Sequence, residues 1–152
     1  MRMFSRAFSQ LDSRKWFDRM HPQTLAIGTW LLYIDGVFST LGFIDKTNEF
    51  GILRIIGPIT GVIGLVSCLA MFGSGFLMAN GKLLGWYIGI AASFSHLLAR
   101  FIISIHQQNR GFSISLADRI TGGDLISFMF EAALVALLLH PMSRSYARTW
   151  LR

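Results

Sequence analysis

From Ile55 to Met78 the chain carries no charged residue, and three further apolar runs accompany this one. Thr24 to Ile44 is interrupted only by Asp35. Leu83 to Ile105 contains His96 and Arg100. Leu125 to Leu139 contains Glu131 and is led into by Gly122, Gly123 and Asp124. A helix needs about 20 residues to cross a hydrocarbon layer of about 30 Å. Three runs meet that length directly. The fourth meets it only if it starts near Ile120, and a tilted or re-entrant segment is its alternative. Within lipid the backbone has no water to bond to, so each crossing must satisfy its own amides as a helix.

Composition agrees. The chain of 152 residues is 53% hydrophobic and 14% charged, with a mean hydropathy of +0.51, whereas soluble domains carry about 25% charged residues. A soluble domain this small has too much surface for its volume to bury so many apolar side chains. The pattern therefore predicts an all-α integral membrane protein, an antiparallel four-helix transmembrane bundle with spans at 24–44, 55–78, 83–105 and 120–139. An interfacial amphipathic segment, 1–23, precedes them, and a basic cytoplasmic tail, 141–152, follows.

The net charge of +6 is concentrated toward the two ends, which suits anionic lipid rather than nucleic acid. Arg2, Arg6, Arg14, Lys15, Arg19, Lys82, Arg144, Arg148 and Arg152 fall on one side of the four runs, and Lys46, Arg54, Arg110 and Arg119 on the other. The excess of basic residues marks the cytoplasmic face, so both termini are expected there, in a plasma or bacterial inner membrane. Trp30, Tyr33, Trp86, Tyr87, Tyr146 and Trp150 suit interfacial belts. At the N-terminus Phe4, Ala7, Phe8 and Leu11 recur at helical spacing opposite Arg2, Ser5, Arg6 and Ser9, the pattern of a helix lying in the headgroup plane. The pattern breaks at Lys15, and a turn is expected near Asp12 and Ser13. Between the third and fourth runs, the stretch from Ser113 to Ile120 suits a short helix capped by Ser113 or Ser115.

Small and polar residues form stripes on these helices. Gly57, Gly61, Gly64 and Cys68 share one face of the second run; Gly85, Gly89, Ser93, His96 and Arg100 share one of the third. Such stripes let backbones approach closely, and the five glycines are expected to be packing positions. Gly28, Asp35, Ser39 and Gly42 line the first run, and Asp124, Ser127 and Glu131 the fourth. At 1.5 Å per residue, Asp35, His96 and Glu131 lie about 16, 20 and 14 Å from the cytoplasmic ends of their runs, within one layer. Arg100 is a turn farther out, but helical side chains lean toward the helix N-terminus and would bring its guanidinium back. Isolated charges at the bilayer centre each cost about 2.5 to 3.5 kcal/mol. Arg100 is therefore expected to pair with Asp35 or Glu131, and His96 to bond the remaining carboxylate. Arg54 sits at the boundary, where its long stem can reach headgroups.

These four residues, Asp35, His96, Arg100 and Glu131, are the candidate ligand or proton site. A structural clasp that fixes helix register is the plainer reading of the same cluster. Nucleophile-elbow, zinc-protease, P-loop and dinucleotide-binding motifs are absent, so no catalytic residue is predicted. His21, His106 and His140 fall at span ends, no Glu-x-x-His pair occurs, and the single Cys68 offers no metal-ligand spacing. No metal or other cofactor is expected. The favoured function is a non-enzymatic accessory or assembly subunit of a larger membrane complex, or a homo-oligomer. Its helices would contact lipid and protein partners through faces that include Phe38, Phe72, Phe76, Phe94, Phe101, Phe128 and Phe130. The alternative is a small carrier or channel binding a proton, an ion or a lipid headgroup, which requires a cavity around Asp35, His96 and Glu131. A weaker alternative is a lipid- or quinone-linked enzyme using His96 and Glu131 as acid and base.

If Arg100 is buried among partners while Arg54 is not, Arg100→Leu lowers the yield of folded protein well below that of Arg54→Leu. Equal loss in size-exclusion profiles of the two variants contradicts the buried cluster.

Overall fold

A computed structural model of the chain describes residues 11–152. The described residues are all helical apart from turns and connections. In chain order the helices are α1 (Gln23–Asp45), α2 (Glu49–Ile56), α3 (Pro58–Ala79), α4 (Leu83–Ser93), α5 (Ser95–Asn109), α6 (Leu116–Thr121), α7 (Leu125–Leu139) and α8 (Pro141–Trp150). Three stretches are long and apolar enough to cross a membrane: Gln23–Ile56, Pro58–Ala79 and Leu83–Asn109. A fourth qualifies only if α7 and α8, bent by 49° at their junction, count together. By itself α7 has 15 residues, about 23 Å of helix. Within the expected 120–139 span the helix itself begins at Leu125, because Gly122 and Gly123, both at positive φ, end α6 before it.

Sequence pattern and packing meet in an inside-out arrangement. On α1 the buried face is Gly28, Thr29, Leu32, Gly36, Ser39 and Gly42, while Ile27, Trp30, Ile34, Val37, Leu41 and Ile44 are exposed. On α3, Gly61, Gly64, Ser67, Ser74 and Gly75 face inward, and Ile59, Val62, Leu65, Val66 and Leu69 face outward. A soluble protein rarely exposes such contiguous apolar surface. Small residues inside and large apolar ones outside is the order that lipid as solvent favours.

The glycines act through close approach. A methyl group on Gly85 would stand 2.6 Å from the Met78 backbone nitrogen, so α4 packs backbone to backbone on the end of α3. One on Gly64 would meet the Phe50 carbonyl at 3.1 Å, one on Gly61 the Arg54 backbone at 3.3 Å, and one on Gly89 the Leu32 side chain at 3.3 Å. Gly57 departs from this set. It has only Thr60 near it, at 3.8 Å, and sits in extended backbone between α2 and α3. Its place in the stripe comes from spacing, but the helix does not begin until Pro58, so it faces no partner helix.

The connection after α1 holds the least expected element. Lys46 takes a left-handed conformation (φ 58°) and closes α1 by donating its N–H to the Gly42 carbonyl. The chain then doubles back. Asn48 packs against Gly42, and its side-chain amide donates to the Ser39 carbonyl at 3.0 Å. Asn48 also caps α2 by accepting from Gly51 N–H, where a side chain would collide with the Gly42 carbonyl at 2.5 Å. Thus α2 starts beside α1 rather than beyond it, and its first turn lies in the interior.

Both ends of the described chain are tied to the same face. Trp16 packs on Tyr33 and Phe76, and Phe17 stacks on Trp30 at 4.5 Å. A turn stands where Lys15 N–H bonds the Asp12 carbonyl. Burial tends to raise the Asp18 carboxyl, yet Lys15 at 2.8 Å and the Met20 N–H hold it below the usual carboxylate range. The amphipathic pattern of Phe4, Ala7 and Phe8 lies outside the described residues. At the other end, the basic segment 141–152 is largely helical. Pro141 opens α8, whose Ser143 and Ala147 are buried. Ser143 meets Thr24 at 2.8 Å, and Arg152 pairs with the Gly81–Leu83 turn through two backbone bonds. A sequence pattern of basic residues gives no hint of that docking, because the contacts are made by small and backbone groups.

Two glycine substitutions separate packing from punctuation. Gly85→Ala is expected to cost about 1–3 kcal/mol, since backbone atoms must move. Gly57→Ala is expected to stay within about 0.5 kcal/mol. Thermal unfolding in detergent should therefore show a clear drop for the first and almost none for the second.

Candidate functional site

The site is built where α1, α2, α5 and α7 meet. Arg100 on α5 is the hub: it is 4% exposed, so its charge cannot reach solvent. Its Nη1 donates to Glu131 Oε2 at 2.8 Å and Nη2 donates to Glu131 Oε1, a two-pronged pair with α7. Nη1 also donates to the Ile120 carbonyl at 2.9 Å, and Nε donates to Glu49 Oε1 at 2.7 Å. A planar guanidinium matches two carboxylates and a carbonyl in this way, whereas an ammonium would not. Gly122 makes room for it, since a methyl there would stand 2.6 Å from Arg100 Nε.

One turn earlier on α5, His96 is 5% exposed. Its Nε2 lies 3.2 and 3.1 Å from the two oxygens of Asp35 and 3.4 Å from Ser39 Oγ, both on α1. A carboxylate only accepts hydrogen bonds, so the network puts a proton on Nε2. The Phe50 ring packs against the imidazole at 4.7 Å. The opposite ring nitrogen, Nδ1, has no hydrogen-bond partner among the described residues. It points between Glu131 Oε1 at 3.6 Å and Glu49 Oε2 at 3.9 Å.

The four residues singled out from the sequence thus stand together: Arg100 with Glu131, and His96 with Asp35. Glu49 joins them without having been anticipated. It lies in a segment that hydropathy assigns to a connection between spans. The available signal was an Asn directly before Glu49 and an apolar stretch, a helix-start pattern, but nothing local says that this helix folds back inward. With Glu49, the cluster holds three carboxylates for one guanidinium, two of them bonded to it and Asp35 bonded to His96, and burial makes such an excess costly.

Beside the cluster is a cavity of about 580 Å³ between α1 and α7. Asp35, Ser39, Glu49, His96 and Glu131 form its polar end. Ile34, Phe38, Ile126 and Phe130 form apolar walls. These four wall residues are themselves exposed on the outer surface, so the cavity reaches the apolar exterior between the two helices. Arg100 does not line it, so the groups it offers are mainly acceptors. The packing glycines Gly61, Gly64, Gly85 and Gly89 serve the helix contacts that surround the cluster and do not enter it.

Comparison with protein-family models, with curated proteins and with solved structures gives no match to the chain. The chemistry of the site is therefore read from its geometry.

Glu49 generates its own test. Removing one partner of a buried charge leaves the other uncompensated, at about 3–5 kcal/mol. Glu49→Leu is therefore expected to destabilise the protein by about 3 kcal/mol. Asp45→Leu, four residues away and exposed, is expected to stay within about 0.5 kcal/mol. Chemical denaturation in detergent reads the difference.

Proposed function

We propose that this protein is a membrane-embedded binding protein or carrier for an apolar molecule whose head donates hydrogen bonds, such as a hydroxylated lipid-soluble compound. The proposal includes a four-span antiparallel arrangement in which α7 with its bend to α8 supplies the last crossing, and both termini are cytoplasmic. The observation that carries it is the cavity with acceptor groups at one end and apolar walls open toward the lipid side. An apolar molecule can enter sideways between α1 and α7, and burial of its chain against Ile34, Phe38, Ile126 and Phe130 supplies the affinity. Its head then meets Asp35, Ser39, Glu49 and Glu131, which fix orientation and select for a donor. Binding sites of this form, apolar with a few placed polar groups, are the usual form of small-molecule sites.

A clasp that merely fixed helix register would need no space beside it. The accessory-subunit reading has for support the exposed apolar faces of α1 and α3, which lipid covers equally well. The carrier reading has in addition a cavity at the polar layer.

A diazirine-bearing long-chain alcohol and its methyl ether provide the test in lipid nanodiscs. The alcohol is expected to label peptides of α1 and α7 severalfold more strongly than the ether, which has no proton to donate. Ile126→Trp, which fills the cavity, should abolish that labelling. Equal labelling by the two compounds sinks the proposed head chemistry, and labelling that survives Ile126→Trp sinks the cavity as the site.

A further inference from the structure

The imidazole of His96 is held as a metal ligand is held. Its Nε2–H donates to the Asp35 carboxylate at 3.1 Å, and this leaves the lone pair of a neutral ring on Nδ1. That bare nitrogen is buried, has no hydrogen-bond partner among the described residues, and is directed at two carboxylate oxygens. In a neutral ring that lone pair faces two anionic oxygens, an arrangement that is repulsive unless a positive charge, either a proton on Nδ1 or a bound cation, stands between them.

We propose that Glu49, His96 and Glu131 bind a divalent first-row transition-metal cation such as Zn2+ or Mn2+. The three donor atoms lie within 4.8 Å of one another, and Nδ1 stands 3.6 and 3.9 Å from the two glutamate oxygens. Those separations are too long for hydrogen bonds. A cation with bonds of about 2.0–2.2 Å in tetrahedral geometry holds its ligands about 3.4 Å apart, so an inward movement of the two glutamate side chains closes the site. One nitrogen and two carboxylate oxygens, with no thiolate, suit Zn2+, Mn2+ or Fe2+ rather than a soft ion.

The surroundings fit that role. Asp35 stands behind His96 as the carboxylate that fixes the tautomer and raises ligand basicity, a recurring partner of metal-bound histidine. Arg100 takes Oε1 of Glu49 and thereby turns Oε2 of that residue toward Nδ1. Charge closes as well: three carboxylates against one guanidinium leave two negative charges, and a divalent cation with a neutral imidazole cancels them. Glu49, His96 and Glu131 all line the cavity, so a cation held by three protein ligands keeps an open position toward whatever occupies it. The site shares Glu49 and Glu131 with the polar end of the proposed binding cavity, and metal uptake is read without any apolar occupant.

The experiment is equilibrium dialysis of the full chain in detergent against Zn2+, with metal content read by mass spectrometry, alongside Co2+ substitution followed by visible absorption. One tightly held equivalent is expected, with a Co2+ spectrum of nitrogen and oxygen ligation. Glu49→Gln and Asp35→Asn should each weaken binding by about 10-fold or more, whereas Asp124→Asn, at the exposed start of α7, should not. Variants are compared only where the elution profile shows folded protein. If Glu49→Gln does not fold, the wild-type Co2+ spectrum decides. Absence of uptake at millimolar Zn2+ overturns the proposal and leaves protons or a water to satisfy the cluster. Binding unchanged in folded Glu49→Gln, or a thiolate band from Cys68, overturns it equally.

Discussion

Arg100 is a permanently charged group buried near the middle of the molecule, and the interior is arranged around that fact. Its five N–H donors require acceptors that no single helix can supply, so α7 contributes Glu131, the segment before it contributes the Ile120 carbonyl, and α2 contributes Glu49. Each contribution explains a feature that is otherwise odd. The left-handed Gly122 keeps the chain clear of the guanidinium. The short α2 turns back toward the interior instead of continuing outward. The charge thus sets the fold of two connections as well as the pairing of three helices.

The same interaction is over-supplied with negative charge. A clasp made only to fix register needs one or two carboxylates for one guanidinium. Here a third, Asp35, is engaged with an imidazole whose far nitrogen has no hydrogen-bond partner among the described residues. Excess acceptors beside a cavity of about 580 Å³ are more economically understood as a place for something positive or proton-donating. That is the common ground of the proposed function and of the proposed cation site. The two share Glu49 and Glu131: the first uses them to receive the head of a molecule whose chain lies on the apolar walls, the second to hold a cation together with His96.

The glycine and serine stripes bear on this indirectly. They let α3, α4 and α1 approach closely enough for a small protein to enclose a polar layer at all. Gly85 and Gly64 show what they are for, since a single methyl would meet backbone atoms of the neighbouring helix. Gly57, at the same spacing, shows that periodicity alone does not make a packing position. Its helix simply does not extend that far.

The sequence by itself determined the helical, apolar character of the chain, because runs of uncharged residues near 20 long leave the backbone few other ways to satisfy its amides in lipid. It also determined that Asp35, His96, Arg100 and Glu131 share one layer, since helical rise converts residue number into depth. Tertiary structure alone decided the rest. Glu49 enters the cluster because Lys46 and Asn48 reverse the chain beside α1, a turn made by backbone geometry with no hydrophobic period to announce it. The C-terminal segment docks as α8 because Ser143 and Ala147 on its buried face are small enough to let it pack closely. The cavity lies between α1 and α7 with Phe38 and Phe130 among its walls, and the gap between two helices is a property of neither sequence. Depth along a helix is a local quantity and legible; which faces meet, and what space they leave, depends on the whole packing.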